Sequence, residues 1–353
     1  MKAVQDRGII GYTCAYTPIP IIEAAGFVPY RVLPMGDAPD QAGQLLHDNM
    51  CPHVKRVVDR AMGGDLPALS GMVFVNSCDA MRRLADAWRN VRPQDRVVFL
   101  DLPATHDEVA NRFYACELKR LADHLALRAG IDADEMDWQA SVHSFNRLCE
   151  LLAACNDRMR AGCLAGGRAA MQALYNRAST RPTAESIQEL ETLLETDETG
   201  ADGLPNVAVF LFGNVMPDPE AFALMESCGA RIVADDFCTG SRMFSPLAVG
   251  SDASVFQDLA ASIQKKPPCA RTFSPKTPGR MAADVVAAAR DCGAAGVIGH
   301  TLKFCDPYLA RLPMVREALN KEGLPLLMLE GDCTLRSIGQ QRTRIEAFIE
   351  MLR

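Results

Sequence analysis

Apolar positions along the chain switch between two periods, and the switches predict the elements. RGIIGYTCAYTPIPIIEAAGFVPYRVLP reads as a short strand, a turn at Tyr12–Thr17, a helix and a second strand. Thr17 is placed to cap that helix, Pro18 to occupy its first turn and Gly26 to end it. A helical stretch over roughly Gln41–Met62, interrupted near Pro52, leads to the apolar run Met72–Val75. A helix bearing Met81, Leu84, Ala85 and Trp88 follows, then a strand at Val97–Leu100. From about Asp107 to Leu194 the period is helical throughout, carried by Val109, Phe113, Cys116, Leu121, Leu125, Phe145, Leu148, Leu151, Met171 and Leu174. Strands return at Val207–Phe212, Ile232–Ala234, Val297–Ile298 and Leu326–Leu329, with helices between them and a closing helix Arg342–Leu352.

Alternating strand and helix predicts doubly wound parallel sheets. The expectation is an α/β chain with two parallel-sheet domains and a helical domain or insertion between them, divided as 1–106, 107–203 and 204–353, with the second α/β unit starting at Leu204. A length of 353 residues is more than a single hydrophobic core supports. The acidic segment TRPTAESIQELETLLETDETGADG reads as a solvated helix face ending in a Gly/Asp-rich linker.

Composition is that of a soluble globular protein, with 48% hydrophobic and 23% charged residues. The net charge of -7, without a basic stripe, points away from nucleic acid as a partner. MKAVQDRGIIGY lacks the apolar core of a signal peptide, and no apolar run reaches the roughly eighteen residues of a membrane span. A cytoplasmic protein is therefore expected. In that reducing compartment the 13 cysteines, an odd number, do not read as a disulfide framework. Cys149, Cys155, Cys163 and Cys292 lie in alanine-rich helical patterns and read as small core residues.

Two cysteines stand elsewhere. GMVFVNSCDAMR (Gly71–Arg82) and AAGVIGHTLKFCDP (Ala294–Pro307) each run from an apolar strand through a short polar loop to a Cys-Asp pair. In an open parallel sheet that place is the ligand crevice at the carboxyl ends of the strands. Cys78 and Cys305 are thus candidate ligands of an iron–sulfur cluster, with Cys116 as a third, Cys333 as a rival and Cys238 as another strand-end thiol. The chain has no C-x-x-C, so such a cluster is assembled from distant positions, and a packed core thiol stands as the alternative at each one. Cys14, ahead of the first helix, is a candidate reactive thiol whose pKa the helix dipole lowers.

Other chemistry is less specific. Asp235 and Asp236 form a carboxylate pair beside Arg242, but neighbours on a strand face opposite ways, so one of the two is expected in the crevice. Glu330 and Asp332 are read with the same caution. His300 is either an acid/base group or a satisfied buried histidine, and Arg342 and Arg344 are phosphate contacts or surface charges. There is no G-x-x-x-x-G-K-[ST], G-x-G-x-x-G, G-x-S-x-G or H-E-x-x-H, which argues against ATP hydrolysis, NAD binding, serine hydrolysis and zinc proteolysis by those devices.

GYTCAYTPIPIIEAAGFVPYRVLP, NSCDAMRRL, DDFCTGSR, GVIGHTLKFCDP and LEGDCTLRSIGQQRTRIEAFIEML occur in the order found in the 2-hydroxyacyl-CoA dehydratase and benzoyl-CoA reductase family, and the chain resembles its smaller subunit over nearly the whole length. That resemblance implies flavodoxin-like sheets, a 4Fe-4S cluster on three cysteines with one iron open, and one-electron chemistry on an acyl-CoA thioester. The three positions map onto Cys78, Cys116 and Cys305. It further implies a homologous larger subunit, in a heterodimer or heterotetramer, and a separate ATP-dependent iron–sulfur activator, in keeping with the missing phosphate loop. Cys333 departs from the family pattern, where a Tyr or another residue is expected. Dehydration of a 2-hydroxyacyl-CoA and reduction of an aromatic thioester both fit. A double-cubane reductase and a cluster-free scaffold subunit are the alternatives.

Overall fold

Two four-stranded, all-parallel sheets organise the protein, which the computed structural model describes at residues 8–36, 38–196, 207–248, 250, 254–333 and 339–353. The first contains β1 (Ile9–Tyr12), β2 (Val28–Arg31), β3 (Gly71–Val75) and β4 (Val97–Leu100) in the order β2-β1-β3-β4. The second contains β5 (Val207–Gly213), β6 (Ala230–Asp236), β7 (Gly296–Leu302) and β8 (Leu326–Gly331) in the order β6-β5-β7-β8. Helices α1 (Ile19–Ala24), α2 (Pro52–Gly63) and α3 (Asp79–Val91) serve the first sheet. Four consecutive helices then separate the sheets in sequence: α4 (Glu108–Ala129), α5 (Trp138–Arg160), α6 (Gly167–Thr180) and α7 (Thr183–Glu195). The second half adds α8 (Pro219–Ser227), α9 (Val255–Lys265), α10 (Arg280–Asp291), α11 (Asp306–Lys321) and α12 (Arg342–Leu352). The expected α/β architecture with two parallel sheets is what the structure shows. The start at Leu204, the linker residues 197–206 and residues 334–338 of the last loop lie outside the described residues.

Both faces of each sheet are buried, as parallel strands covered by helices require. Ile10, Tyr12, Val73, Val75 and Leu100 face a core shared with α1, α4 and α5, while Met72 and Phe74 face α2 and α3. In the second sheet Val209, Leu211 and Ile298 pack with α8 and α12, and Phe210, Phe212 and Val297 with α10 and α11. Each strand alternates between two cores.

Several local expectations shift. The N-cap of α1 is Pro18, without a side-chain cap, and Thr17 Oγ1 has no hydrogen-bond partner. The stretch before Pro52 is a 3₁₀ turn (Ala42–Gln44) and loop, so α2 begins at the proline, where a missing N–H costs nothing. Cys163 lies beyond the end of α5 and Cys292 at the C-cap of α10, both half-buried, whereas Cys149 and Cys155 are core residues. Along α4 the buried stripe is Ala110, Tyr114, Leu118, Leu121 and Leu125, which leaves Val109 and Phe113 67% and 47% exposed. Two apolar stripes run along that helix, and tertiary packing takes only one. Among the described residues no helix is long and apolar enough to cross a membrane.

Candidate functional site

In each sheet the chain first winds one way and then the other, so the strand order reverses between β1 and β3 and again between β5 and β7. Such switch points open a crevice beyond the carboxyl ends of the strands. Here the two crevices face each other across one cavity of about 100 Å³. Cys14 follows β1, Cys78 follows β3, Asn214 and Val215 follow β5, Cys238 follows β6 and Cys305 follows β7, and all line it. Cys51, at the head of α2, and Cys269, between α9 and α10, complete a lining of six thiols. Val54, Met81 and Leu302 supply apolar wall.

Gly213 ends β5 where no side chain fits: a Cβ there would run into the carbonyl of His300 and the ring of Phe237. Its carbonyl oxygen accepts from Tyr308 Oη and from Arg242 Nη2 at 3.1 Å, fixing the start of α11 against the loop that carries Cys238. Cys238 Sγ donates to the Asn214 carbonyl at 2.7 Å. The Cys269 segment belongs to the second half but is seated on the first. Arg271 donates to the carbonyls of Asn76, Ser77, Leu102 and Pro103, at the carboxyl ends of β3 and β4. Tyr16 Oη accepts from the Cys269 amide at 3.0 Å, and Phe273 N donates to Ala104 O at 2.8 Å. These bonds make the second half close the cavity over the first.

Burial dominates the electrostatics. It pushes the thiol of Cys51 up to about 12 and those of Cys78 and Cys238 up to about 11, and it raises Cys14 and Cys305 as well. The expected lowering at Cys14 is overturned: α1 has only six residues and desolvation outweighs its dipole. His53, also on the wall, is driven down to about 3 by burial, so its imidazole is neutral. Its Nδ1 and the Asn214 Nδ2 have no hydrogen-bond partner although both residues are only 7% exposed.

The other candidates lie apart from this cavity. Cys116 is exposed on α4, and Cys333 is packed behind the wall against Val215 and Leu302, beside Cys51, Cys238 and Cys305. Asp235 is buried against Arg168 at 2.6 Å, while Asp236 pairs with Arg242 at 2.7 Å, so the two carboxylates do face opposite ways. Arg342 pairs with Glu346 at 3.3 Å. Arg344 and Glu330 line a separate, thiol-free hollow of about 720 Å³ between α11 and β8. Asp332 lies next to Cys333, close enough to His300 to act on its charge. Sequence reading missed Cys51, Cys269, His53 and Arg271, although the Cys51-Pro52 pair marks a helix start.

His300 sits within β7, 1% exposed, with neither ring nitrogen hydrogen-bonded. Burial lowers its pKa to about 4. Because the unfolded chain binds that proton at about pH 6.5, acid favours unfolding: stability is intact above about pH 6.5 and falls by about 3 kcal/mol as pH drops to about 4. His53, buried and lowered to about 3, loses stability over the same window, so His300→Gln is expected to remove about half of the loss that the two histidines cause together, read as urea midpoints at pH 7 and pH 4. An unchanged slope would locate the acid sensitivity elsewhere.

The thiols are the donor type that iron–sulfur clusters use. Among the described residues no group of three or more His, Cys, Asp or Glu is arranged around a single metal ion. A cubane spreads its ligands over several irons, so its thiols stand further apart than the ligands of one ion. A bound cation also reverses the effect of burial, because a coordinating thiol is deprotonated outright. Six thiols, no carboxylate among the described residues of the wall, and unpartnered polar atoms on Thr13, His53 and Asn214 fit such a group.

Comparison with known proteins gives one family and several relatives. The family model described as 2-hydroxyglutaryl-CoA dehydratase, D-component, matches residues 14–352. The chain is 23% identical over 357 residues to lactoyl-CoA dehydratase subunit beta of Anaerotignum propionicum, covering 99% of this chain and 93% of the relative. It is 24% identical over 335 residues to one of the subunits of benzoyl-CoA reductase from Thauera aromatica, covering 92% and 86%. The beta subunit of (R)-2-hydroxyglutaryl-CoA dehydratase from Acidaminococcus fermentans is 24% identical over 362 residues, covering 99% and 93%.

Proposed function

Because the chain belongs to the 2-hydroxyglutaryl-CoA dehydratase, D-component family, we propose that it is the iron–sulfur subunit of an enzyme acting on an acyl-CoA thioester. The observation that carries the reading is the convergence of six thiols on one buried cavity at both switch points. In this reading Cys78 and Cys305 are thiolate ligands of a 4Fe-4S cluster. When bound, such a cluster supplies one-electron transfer and, at an iron without a protein ligand, a Lewis-acid position.

The chain's own residues do the rest. Val54, Met81, Val215 and Leu302 keep water out, and Arg271 holds the Cys269 segment on the first sheet. Neutral His53 and the Asn214 amide offer hydrogen bonds to whatever fills the cavity. A homologous larger subunit and an ATP-dependent iron–sulfur activator complete the proposal, and the relatives named as subunits support the first of these.

A second reading is favoured by the number of thiols. Three thiolates suffice for a site-open cubane, and six line the cavity. A double-cubane reductase uses them all.

Iron and acid-labile sulfide on protein purified without oxygen separate these readings. About four irons per chain with broad absorption near 400 nm are expected for the first and about eight for the second. Turnover of a 2-hydroxyacyl-CoA or of benzoyl-CoA with an activator then assigns the reaction. A folded but iron-free protein would leave only the scaffold reading.

A further inference from the structure

We infer that Arg31 and Lys266 form a buried cationic shell behind the cavity, and that their counter-charge is the anionic group the cavity holds. The inference rests on the iron–sulfur reading above and says what sets the potential of that group. Arg31 is the last residue of β2, in register with Tyr12 of β1, the strand that leads to Cys14. It is 2% exposed. A guanidinium keeps its charge when buried, so it needs a counter-charge close by. Arg168 and Arg242 are comparably buried, and each has one, in Asp235 and Asp236. Among the described residues Arg31 joins no such pair: its Nη1 donates instead to the Cys238 carbonyl at 2.6 Å and to Met243 Sδ at 3.0 Å. Neither acceptor is charged, and a thioether accepts weakly.

Lys266 repeats the arrangement. It follows α9, is 6% exposed, and donates to the Met243 carbonyl at 3.0 Å from above the ring of Phe145. It too joins no ion pair among the described residues, and burial pulls its amine down to about 8. Both cations lie within electrostatic reach of Cys14, and Arg31 within reach of Cys238 and His53 as well. Those three residues line the cavity. Two cations without a carboxylate thus stand beside a thiol-lined space that has none among its described lining residues either. Thiolates and the group they hold balance them. Reduction adds one electron, and so one negative charge, at that place, and a fixed cation nearby favours the step. Net charge is among the quantities that set cluster potentials. Arg31 acts through the bound group, by charge, and touches no substrate.

The test measures the midpoint potential by EPR-monitored titration with dithionite, on full-length protein prepared without oxygen and reconstituted with ferrous iron and sulfide. It compares the parent with Arg31→Gln, Arg31→Lys and Lys266→Gln, and with Lys321→Ala as a control at an exposed ion pair. At a fixed potential Arg31→Gln should lower the ratio of reduced to oxidised group at least about tenfold, a shift of about 59 mV for one electron. Arg31→Lys keeps the charge and should restore most of the parental potential. Lys266→Gln should shift it in the same direction as Arg31→Gln, and Lys321→Ala should leave it in place. A merely structural role moves something else: the urea midpoints of metal-free and loaded protein fall together while the potential stays parental. If Arg31→Gln does not fold, Lys266→Gln decides by the same measure. A parental potential in every folded variant that removes a charge would overturn the inference. Iron-free parent protein would instead overturn the reading on which it rests, and the inference with it.

Discussion

Cys78→Ala and Cys305→Ala are each expected to abolish the visible absorption and the bound iron of anaerobically purified protein, while Cys149→Ala and Cys116→Ala keep both. The two groups differ in position, not in chemistry. Cys78 and Cys305 follow the inner strands β3 and β7 at the switch points of the two sheets and share one cavity. Cys149 is buried on α5 in the core of the helical segment, and Cys116 faces outward from α4. Removing one of three thiolates leaves an iron without its protein donor in a pocket where burial keeps a non-ligating thiol such as Cys238 protonated and so a poor replacement. The metal-free fold should tolerate the change, because both thiols are half-buried and neither caps its helix. Iron and sulfide per chain, with the urea midpoint of the metal-free variants, check both statements. Full iron in Cys78→Ala would remove the cluster from this cavity.

How far this site can be read from the chain depends on what precedes each thiol. Cys78 and Cys305 follow apolar strands through short polar loops, a local pattern that locates the crevice without knowledge of the other half. Cys51 has no strand before it, only the polar stretch His47-Asp48-Asn49-Met50, and it reaches the cavity because α2 packs beside α3. Cys269 reaches it through long-range bonds: Arg271 grips four carbonyls more than 160 residues away in sequence, and the Cys269 amide donates to Tyr16 Oη. Nothing local encodes that. The reading of Cys116 failed to find a cavity for a related reason. Positions 109, 113 and 116 keep helical spacing as well as the buried stripe does, and the choice between stripes belongs to the α9 helix that packs against α4. The sheets were legible because strands buried on both faces are near-continuous apolar runs, as Val207–Gly213 is.

The buried pair of Arg168 and Asp235 is where a single substitution should cost most stability. Arg168 on α6 reaches Asp235 on β6 at 2.6 Å, with both side chains 0% exposed. It thereby joins the helical segment to the second sheet. The contact is close in distance but off the hydrogen-bonding direction, since neither Arg168 Nη2 nor Asp235 Oδ1 has a hydrogen-bond partner. Part of the cation's partnership comes instead from the rings of Tyr175 and Phe222, 5.5 and 5.4 Å from the guanidinium carbon, and from Asn156 Oδ1 at 3.2 Å. Asp235 Oδ2 accepts from the amides of Phe237 and Ser241, which shape the loop carrying Cys238. Arg168→Ala removes the cation, opens a cavity between two rings and leaves an uncompensated carboxylate, so a loss of about 3–5 kcal/mol is expected. Arg168→Met with Asp235→Asn keeps the packing and the two amide bonds while removing both charges, and should recover most of that loss. Urea unfolding followed by far-UV circular dichroism and by tryptophan fluorescence reads both, with coincident transitions needed for the comparison to hold. If Arg168→Ala shifts the midpoint no more than an exposed-pair variant such as Lys321→Ala, the α6–β6 junction is held by its aromatic packing rather than by charge.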